Sequence, residues 1–121
     1  HTPWLKETEK MIRREHFEAM KPGATFINTA RGAVIDEEAM IEVLKQRSDI
    51  YAVLDVTYPE PPAPESSLYD LPNVVLTPHI AGAIWKECNR MGRCMVEELE
   101  RYLSGQPMKY EITRQMEARL A

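Results

Sequence analysis

The sequence lacks a glycine-rich phosphate loop. Its five glycines are Gly23, Gly32, Gly82, Gly92 and Gly105, and no two of them are separated by a single residue. The G-x-G-x-x-G pattern, which brings backbone amides and a helix N-terminus to a pyrophosphate, is therefore absent. We predict that any group that binds a pyrophosphate lies outside these residues.

Long runs of basic or apolar residues are missing too. The 121 residues carry a formal net charge of −4 without a basic cluster, which argues against nucleic acid as a partner. No apolar stretch approaches the roughly 20 residues of a membrane-spanning helix, and no signal peptide is visible, so no membrane partner is expected. Hydrophobic residues make up 44% and charged residues 28% of the chain, as in ordinary globular proteins.

Cysteine is scarce. Cys88 and Cys94 are the only two, and their spacing fits neither a zinc site nor a redox C-x-x-C pair. We interpret both as reduced packing residues, predict no metal site and expect a cytoplasmic protein. An initiator methionine is also missing, because the chain starts at His1, so we interpret the chain as a piece of a longer protein.

Predicted strands and helices alternate along the chain. Strands are predicted at 24–29, 50–56 and 74–77, and residues 1–5 are a candidate strand end. The apolar run at 51–54 is typical of a parallel strand covered on both faces. This order indicates an α/β protein, but three strands are too few for a complete doubly wound domain. Helices are predicted at 13–20, 36–48, 84–103 and 112–121, with helical residues also at 7–12, and a proline-rich loop is predicted at 57–72.

Two of the helices have clear sequence signatures. Asp36 is a good N-cap, and Glu37 and Glu38 complement the positive end of the helix dipole. The long helix at 84–103 carries one apolar stripe with steps of four and three residues, which we interpret as core packing. The stripe consists of Ile84, Cys88, Met91, Met95, Leu99 and Tyr102.

Charged or titratable side chains come just after the predicted strands. Arg31 follows the first strand, Asp55 ends the second with Glu60 close behind, and His79 follows the third. Ligands of open α/β sheets bind at the carboxyl ends of the strands, and an arginine there pairs readily with a carboxylate. The residues alone also allow a simpler interpretation, in which these side chains only cap strand ends or face solvent.

Three stretches resemble the D-isomer-specific 2-hydroxyacid dehydrogenases, the family of phosphoglycerate, glycerate and D-lactate dehydrogenases. They are residues 20–37, with Asn-Thr-Ala-Arg-Gly at 28–32; residues 54–61, with Leu-Asp-Val and then Glu-Pro; and residues 72–82, with Thr-Pro-His-Ile-Ala-Gly at 77–82. They follow the family's order and spacing over most of residues 1–82. The resemblance implies the second half of a Rossmann-like parallel sheet with flanking helices.

The resemblance also implies catalytic roles. Arg31 corresponds to the arginine that holds the carboxylate and carbonyl of a 2-oxo acid, and His79 to the histidine that exchanges the hydroxyl proton. Glu60 corresponds to the acidic partner of that histidine. These residue types suit the chemistry, because histidine exchanges protons near neutral pH and arginine polarises a carbonyl. The hydride would be carried by NAD or NADP, and the expected substrate is a small 2-hydroxy or 2-oxo acid.

Cofactor contacts are implied for a wider set of residues. Asp55 corresponds to the aspartate that orients the nicotinamide carboxamide, and the backbone at 29–31 and 80–82 would line the nicotinamide side. Thr8, and less surely Pro3, correspond to positions near the adenosine. The implied cofactor-binding residues are Thr8, Thr29, Ala30, Arg31, Asp55, His79, Ile80, Ala81 and Gly82.

The resemblance divides the chain at residue 82. Residues 1–82 would form the C-terminal half of a dinucleotide-binding domain, and residues 83–121 a long connecting helix with a tail that returns towards a substrate domain. It also implies a homodimeric parent protein and an inactive isolated chain. The alternative is a non-catalytic structural or interaction module derived from the same fold. Formate dehydrogenases, another branch, resemble the chain less because they carry glutamine where it has Glu60.

Overall fold

A computed structural model describes residues 2–117 and 120 of the chain. These residues form two compact units. Of the described residues, 2–81 form the first unit, and 82–117 and 120 form the second. Within these described ranges, none of the helices has the length and apolar composition of a membrane span.

A parallel sheet forms the centre of the first unit. Its strands are β1 (Thr25–Asn28), β2 (Tyr51–Leu54) and β3 (Val74–Leu76), in the spatial order β1-β2-β3. Leu54 is the register partner of both Asn28 and Leu76, so the three strands end at the same level. The predicted α/β class with a partial parallel sheet is confirmed.

The first unit has two helices, α1 (Arg14–Glu18) and α2 (Glu37–Gln46). Asp36 is the N-cap of α2, as the sequence predicts, and its side chain accepts a hydrogen bond from the Ala39 amide at 3.4 Å. Two short 3₁₀ turns, Gly32–Val34 and Ser67–Tyr69, complete the regular structure of this unit.

The core of the first unit lies between one face of the sheet and its helices. Asn73 ties these layers together, because its side-chain amide donates to the carbonyl oxygens of Leu44, Arg47 and Ile50 at 2.9–3.2 Å. Burial of each large apolar side chain contributes about 1.5–3 kcal/mol. The largest fully buried side chains are Phe17, Met40, Val43, Leu44, Ile50, Leu54, Val56 and Leu68.

The other face of the sheet is exposed. Ile27, Val53 and Val75 stand in register across the three strands, and Ile27 and Val75 are 63% and 54% exposed. Tyr51 of β2 is 48% exposed. The prediction that β2 is covered on both faces is therefore wrong for this chain. An apolar strand can be buried on both sides, but the helices of this unit supply a layer on one side only.

The second unit contains α3 (Lys86–Leu103) and α4 (Arg114–Glu117). No residue of α3 is buried, and Met91, Met95 and Leu99 are each more than half exposed. The prediction that the apolar stripe packs in a core is wrong for this unit. Among the described residues of the unit, the other helix is only four residues long, which is too short to cover the stripe.

The cysteines are free thiols. Cys94 is partly exposed, whereas Cys88 is exposed, so the predicted packing role is wrong for Cys88. The cause is the same uncovered helix face. In the part of the chain that the structure describes, no three or more His, Cys, Asp or Glu side chains are grouped to hold a metal ion.

Several predicted boundaries also change. Residues 6–10 form turns rather than a helix, because the amides of Lys10 and Ile12 donate to the carbonyl oxygens of residues 33 and 34 instead of to a preceding helical turn. Residues 2–5 form no strand, since the Leu5 amide donates to the Thr8 hydroxyl. His1 and residues 118, 119 and 121 of the predicted C-terminal helix lie outside the described residues.

Candidate functional site

The carboxyl ends of the three strands meet at one edge of the sheet. The Asp55 amide donates to the Asn28 carbonyl, and the Thr77 amide donates to the Leu54 carbonyl, both at 3.0 Å. The hydrogen-bonded ladder therefore continues one residue beyond β2 and β3. The segments that follow all three strands leave the sheet at this edge, where ligands of open α/β sheets bind.

Asp55 is the buried carboxylate of this edge, with 4% of its surface exposed. Its Oδ1 accepts hydrogen bonds from the Ile80 amide at 2.9 Å and from the Thr77 hydroxyl, and its Oδ2 accepts one from the Ala81 amide at 2.8 Å. Burial by itself raises the pKa of Asp55, but these three donors and the charge of His79 outweigh it and leave the pKa below its ordinary value. The carboxylate therefore stays ionised and fixes the turn at 79–81.

His79 has a left-handed backbone with a φ of 52°, a region that histidine enters more readily than most residues. Its amide donates to the carbonyl oxygens of Asp55 and Thr77 at 3.0 Å. The imidazole Nδ1 lies 2.6 Å from Oε1 of Glu60, and the two side chains are 46% and 40% exposed. The fold thus joins an imidazole to a carboxylate 19 residues away in the chain.

The loop that carries Glu60 is held by local hydrogen bonds. The Thr57 hydroxyl donates to the Pro59 carbonyl at 2.9 Å, and the Tyr69 hydroxyl donates to the Pro62 carbonyl at 3.1 Å. Proline fixes φ, so a loop rich in proline has few alternative conformations. The position of Glu60 is therefore well defined even though its side chain is accessible.

Arg31 lies in a turn that Asn28 shapes. The buried Asn28 side chain donates to the Arg31 carbonyl and accepts from the Ala30 amide, both at 3.0 Å. The exposed Arg31 guanidinium donates to the Ala30 carbonyl at 2.7 Å, which is its one described hydrogen bond. Among the described residues it forms no hydrogen bond or ion pair with His79 or Glu60, so the guanidinium can still pair with an anion.

A pocket of about 280 Å³ opens beside Asp55, Glu60 and His79. Ligand clefts usually measure about 300–1,000 Å³, so this one suits a single ring or a small acid rather than a whole dinucleotide. Its walls are largely apolar, and Arg31 is not among them. The other lining residues are Thr57, Pro61, Pro62, Leu76, Thr77 and Pro78.

The remaining predicted site residues do not line this pocket. Thr29 and Gly82 are exposed, and Ala30 is partly exposed. The Thr8 hydroxyl is engaged in its own turn, where it donates to the Pro3 carbonyl at 2.6 Å and accepts from the Leu5 amide at 2.8 Å. The structure therefore brings together Asp55, Glu60 and residues 79–81, while the described hydrogen bonds of Thr8 are all local.

Four residues that shape the site were not assigned a site role from the sequence. Asn28 and Thr77 are polar residues at strand ends, a signal that points to hydrogen bonding at that edge. Gly32 packs against the Thr57 backbone, and a Cβ on it would lie 2.0 Å from the Thr57 carbonyl carbon. Glu37 accepts a hydrogen bond from the Tyr58 amide. No local pattern indicates the last two contacts, because their partners are more than 20 residues away.

Comparison with known proteins identifies relatives of this chain. The chain is 45% identical over 104 residues to glyoxylate/hydroxypyruvate reductase B of Pectobacterium atrosepticum, covering 86% of this chain and 32% of that protein. It is 38% identical over 109 residues to D-3-phosphoglycerate dehydrogenase of Archaeoglobus fulgidus, covering 90% of this chain and 21% of that protein. The chain therefore spans between about a fifth and a third of these two relatives.

A solved structure extends the likeness to the fold. D-lactate dehydrogenase from Lactobacillus jensenii, solved with NAD⁺, superposes with a TM-score of 0.82 at 31% identity, covering 94% of this chain and 38% of that one. Residues 1–81 match the family described as D-isomer specific 2-hydroxyacid dehydrogenase, NAD binding domain. The chain belongs to this family.

Proposed function

We propose that this chain is the C-terminal half of the cofactor-binding domain of an NAD(P)-dependent D-2-hydroxyacid dehydrogenase. Residues 1–82 would hold the nicotinamide end of the cofactor and the reacting acid, and residues 83–121 would lead back towards a substrate domain. The observation that carries the proposal is the 2.6 Å contact between His79 Nδ1 and Glu60 Oε1 at the carboxyl edge of the sheet.

His79 would exchange the proton of the substrate hydroxyl. When Glu60 accepts a hydrogen bond from Nδ1–H, the neutral imidazole keeps a lone pair on Nε2. Nε2 would take the hydroxyl proton when a 2-hydroxy acid is oxidised and return it when a 2-oxo acid is reduced. The Glu60 carboxylate would stabilise the imidazolium between these steps and fix the orientation of the ring. The nicotinamide, when bound, supplies the hydride chemistry.

Asp55 would orient the carboxamide of the nicotinamide. A carboxylate has about four lone-pair positions, and Asp55 uses three of them for Thr77, Ile80 and Ala81. Oδ2 accepts only one of these bonds, so it can accept another from an amide N–H. The adjoining pocket, with its apolar walls and a volume of about 280 Å³, fits a nicotinamide ring.

Arg31 would bind the substrate carboxylate and polarise its carbonyl. Its guanidinium is exposed and bonded only to the Ala30 carbonyl among the described residues, so forming a bidentate pair with a carboxylate requires no protein ion pair to break. Substrate binding would bring this cation and the His79 imidazole to the same molecule from two different strand ends. A homodimeric state and a cytoplasmic location stay predictions.

Turnover by the full-length gene product tests this proposal. NADH- and NADPH-dependent reduction of glyoxylate, hydroxypyruvate and other small 2-oxo acids should be measurable, and His79→Asn should abolish it while the protein stays folded. Asparagine suits this test because it also tolerates a left-handed backbone. His16→Asn is the matched control, since His16 is an exposed histidine of α1. A full-length protein that folds but neither binds the cofactor nor reduces these acids would instead support the non-catalytic module.

A further inference from the structure

The segment that follows Arg31 packs directly on the start of the loop that carries Glu60. The φ of Gly32 is not positive, so the backbone conformation at this position does not require a glycine. The position requires a glycine because there is no room for a side chain. A Cβ there would lie 2.0 Å from the carbonyl carbon and 2.1 Å from the carbonyl oxygen of Thr57. These two backbones are therefore in direct contact.

The Glu37 carboxylate binds the backbone of Tyr58, the residue that follows Thr57 in the loop. Glu37, in the first turn of α2, accepts a hydrogen bond from the Tyr58 amide at 3.1 Å. Burial raises the pKa of Glu37, and the Tyr58 bond offsets this only in part. The fold thus partly desolvates this carboxylate and places it against a single loop amide.

Tyr58 also makes a side-chain contact. Its ring packs edge-on against Trp4, with 5.1 Å between the ring centroids. Glu60 follows only two residues later, and Pro59 between them removes one backbone rotation. A displacement at the Tyr58 amide is therefore transmitted to Glu60 with little room for compensation.

We propose that Glu37 is a positioning residue of the acid/base pair: by binding the Tyr58 amide, it holds Glu60 within hydrogen-bond reach of His79. Its catalytic consequence rests on the function proposed above. Glu37 acts as an acceptor for a backbone donor, and its negative charge is not needed for that role. The contacts of Gly32 and Glu37 together couple the segment after Arg31 to the His79–Glu60 pair.

Charged groups near these contacts define the controls. His79 is faced by Glu60 and by Asp55, and both remain in each single Glu37 variant. Asp36 and Glu38 flank Glu37 at the same helix end, where acidic side chains stabilise the helix dipole. Glu38 is exposed and has no described hydrogen bond to the loop, so Glu38→Ala removes one such charge without removing the acceptor of Tyr58.

Four variants of the full-length enzyme test the proposal. Glu37→Ala should lower kcat/KM about tenfold, because small displacements of reacting groups are costly. Glu37→Gln keeps an acceptor oxygen without the charge and should stay within about twofold of the unmodified enzyme. Glu38→Ala should have no effect. In a Glu60→Gln background, Glu37→Ala should cause little further loss, because both changes act through the same contact.

Three outcomes would overturn the proposal. Equal damage from Glu37→Gln and Glu37→Ala would mean that the charge acts directly. Equal damage from Glu38→Ala would mean that the helix dipole is responsible. A full tenfold loss in the Glu60→Gln background would mean that Glu37 acts through something other than Glu60.

A measurement without turnover separates this proposal from the proposed function. In this chain, Glu37→Ala should speed hydrogen exchange of the Tyr58 amide and change the ¹⁵N chemical shift of His79 Nδ1, whereas Glu37→Gln should preserve both. If the full-length protein is inactive but these shifts occur, the positioning contact stands and the proposed function fails. An unchanged Nδ1 shift in Glu37→Ala would contradict the positioning role whatever the activity.

Discussion

The Glu60 carboxylate lies 2.6 Å from the His79 imidazole, and the two residues are held by separate supports. His79 is fixed through its amide by the Asp55 carbonyl, and Glu60 through a proline-rich loop attached to the first turn of α2. The contact is therefore a property of the tertiary fold of the first unit. Changes to either support should alter the site in measurable ways.

Asp55→Asn should destabilise this chain in a pH-dependent manner. The amide end of asparagine cannot accept both the Ile80 and Ala81 hydrogen bonds, so we expect a loss of about 1–3 kcal/mol at neutral pH. Because folding lowers the pKa of Asp55, its ionised form stabilises the fold above the ordinary value of 3.8, and this contribution is lost as the pH falls through the lowered folded value.

Urea unfolding of both proteins at pH 7 and near pH 3 checks this prediction. The stability difference between the unmodified chain and Asp55→Asn should shrink on acidification. Asp70→Asn, at an exposed position, is the matched control for the loss of a carboxylate outside this edge. A constant difference across this pH range would contradict the assigned role of the Asp55 charge.

Gly32→Ala should destabilise the first unit. A methyl group at this position meets the Thr57 backbone at 2.0 Å, and overpacking of this kind costs about 1–3 kcal/mol or more. Gly92 in α3 offers a control of opposite sign. Nothing lies within 4 Å of a Cβ there, and alanine is the better helix former by about 1 kcal/mol. Thermal unfolding that ranks Gly32→Ala at or above Gly92→Ala would refute the close contact with Thr57.

The sequence predicts the local features of this fold well. The alternation of apolar strands and helical segments indicates the parallel sheet, and Asp36 is identified as an N-cap by its position before Glu37 and Glu38. The family resemblance then selects Glu60 and His79 as a pair from the many polar residues of the chain. Both kinds of inference use patterns that are contiguous or that recur at a fixed spacing.

The features that the sequence does not predict are non-local. The apolar composition of β2 does not reveal that one face is uncovered, because Val53 would suit either environment. Likewise, the stripe through Met95 indicates an apolar helix face but not whether a partner covers it. The contacts of Gly32 with Thr57 and of Glu37 with Tyr58 depend on how two segments pack, which no local pattern specifies.

This chain by itself should bind nicotinamide cofactors weakly and catalyse no turnover. It lacks the glycine loop whose backbone amides would hold the pyrophosphate, and its pocket of about 280 Å³ accommodates only part of a dinucleotide. Calorimetric titration of the chain with NADH is the direct measurement. Micromolar affinity would show that these residues suffice for cofactor binding, contrary to our expectation.

Arg31→Lys should be severely damaging in the full-length enzyme even though the charge is kept. Lysine cannot form two parallel hydrogen bonds to a planar carboxylate, so kcat/KM should fall at least about tenfold, or roughly 1.4 kcal/mol. Arg93→Lys, at an exposed position in α3, is the control and should leave steady-state kinetics unchanged. Normal kinetics for Arg31→Lys would remove Arg31 from the substrate site.

The pH dependence of Glu60→Gln tests the acid/base pair most directly. Reduction of a 2-oxo acid needs a protonated His79, whereas oxidation of a 2-hydroxy acid needs a neutral one. The Glu60 carboxylate favours the imidazolium, and glutamine does not. In the full-length enzyme with Glu60→Gln, reduction should lose activity at a lower pH than before, and the active range of oxidation should extend downwards. Glu65→Gln, an exposed residue of the same loop, should move neither profile.

The decisive measurement is therefore kcat/KM against pH in both directions for the unmodified enzyme, Glu60→Gln and Glu65→Gln. Our account predicts that both profiles of Glu60→Gln shift to lower pH and that those of Glu65→Gln do not. A uniform loss of rate in Glu60→Gln, with both profiles unmoved, would contradict the central claim that Glu60 and His79 act as the acid/base pair.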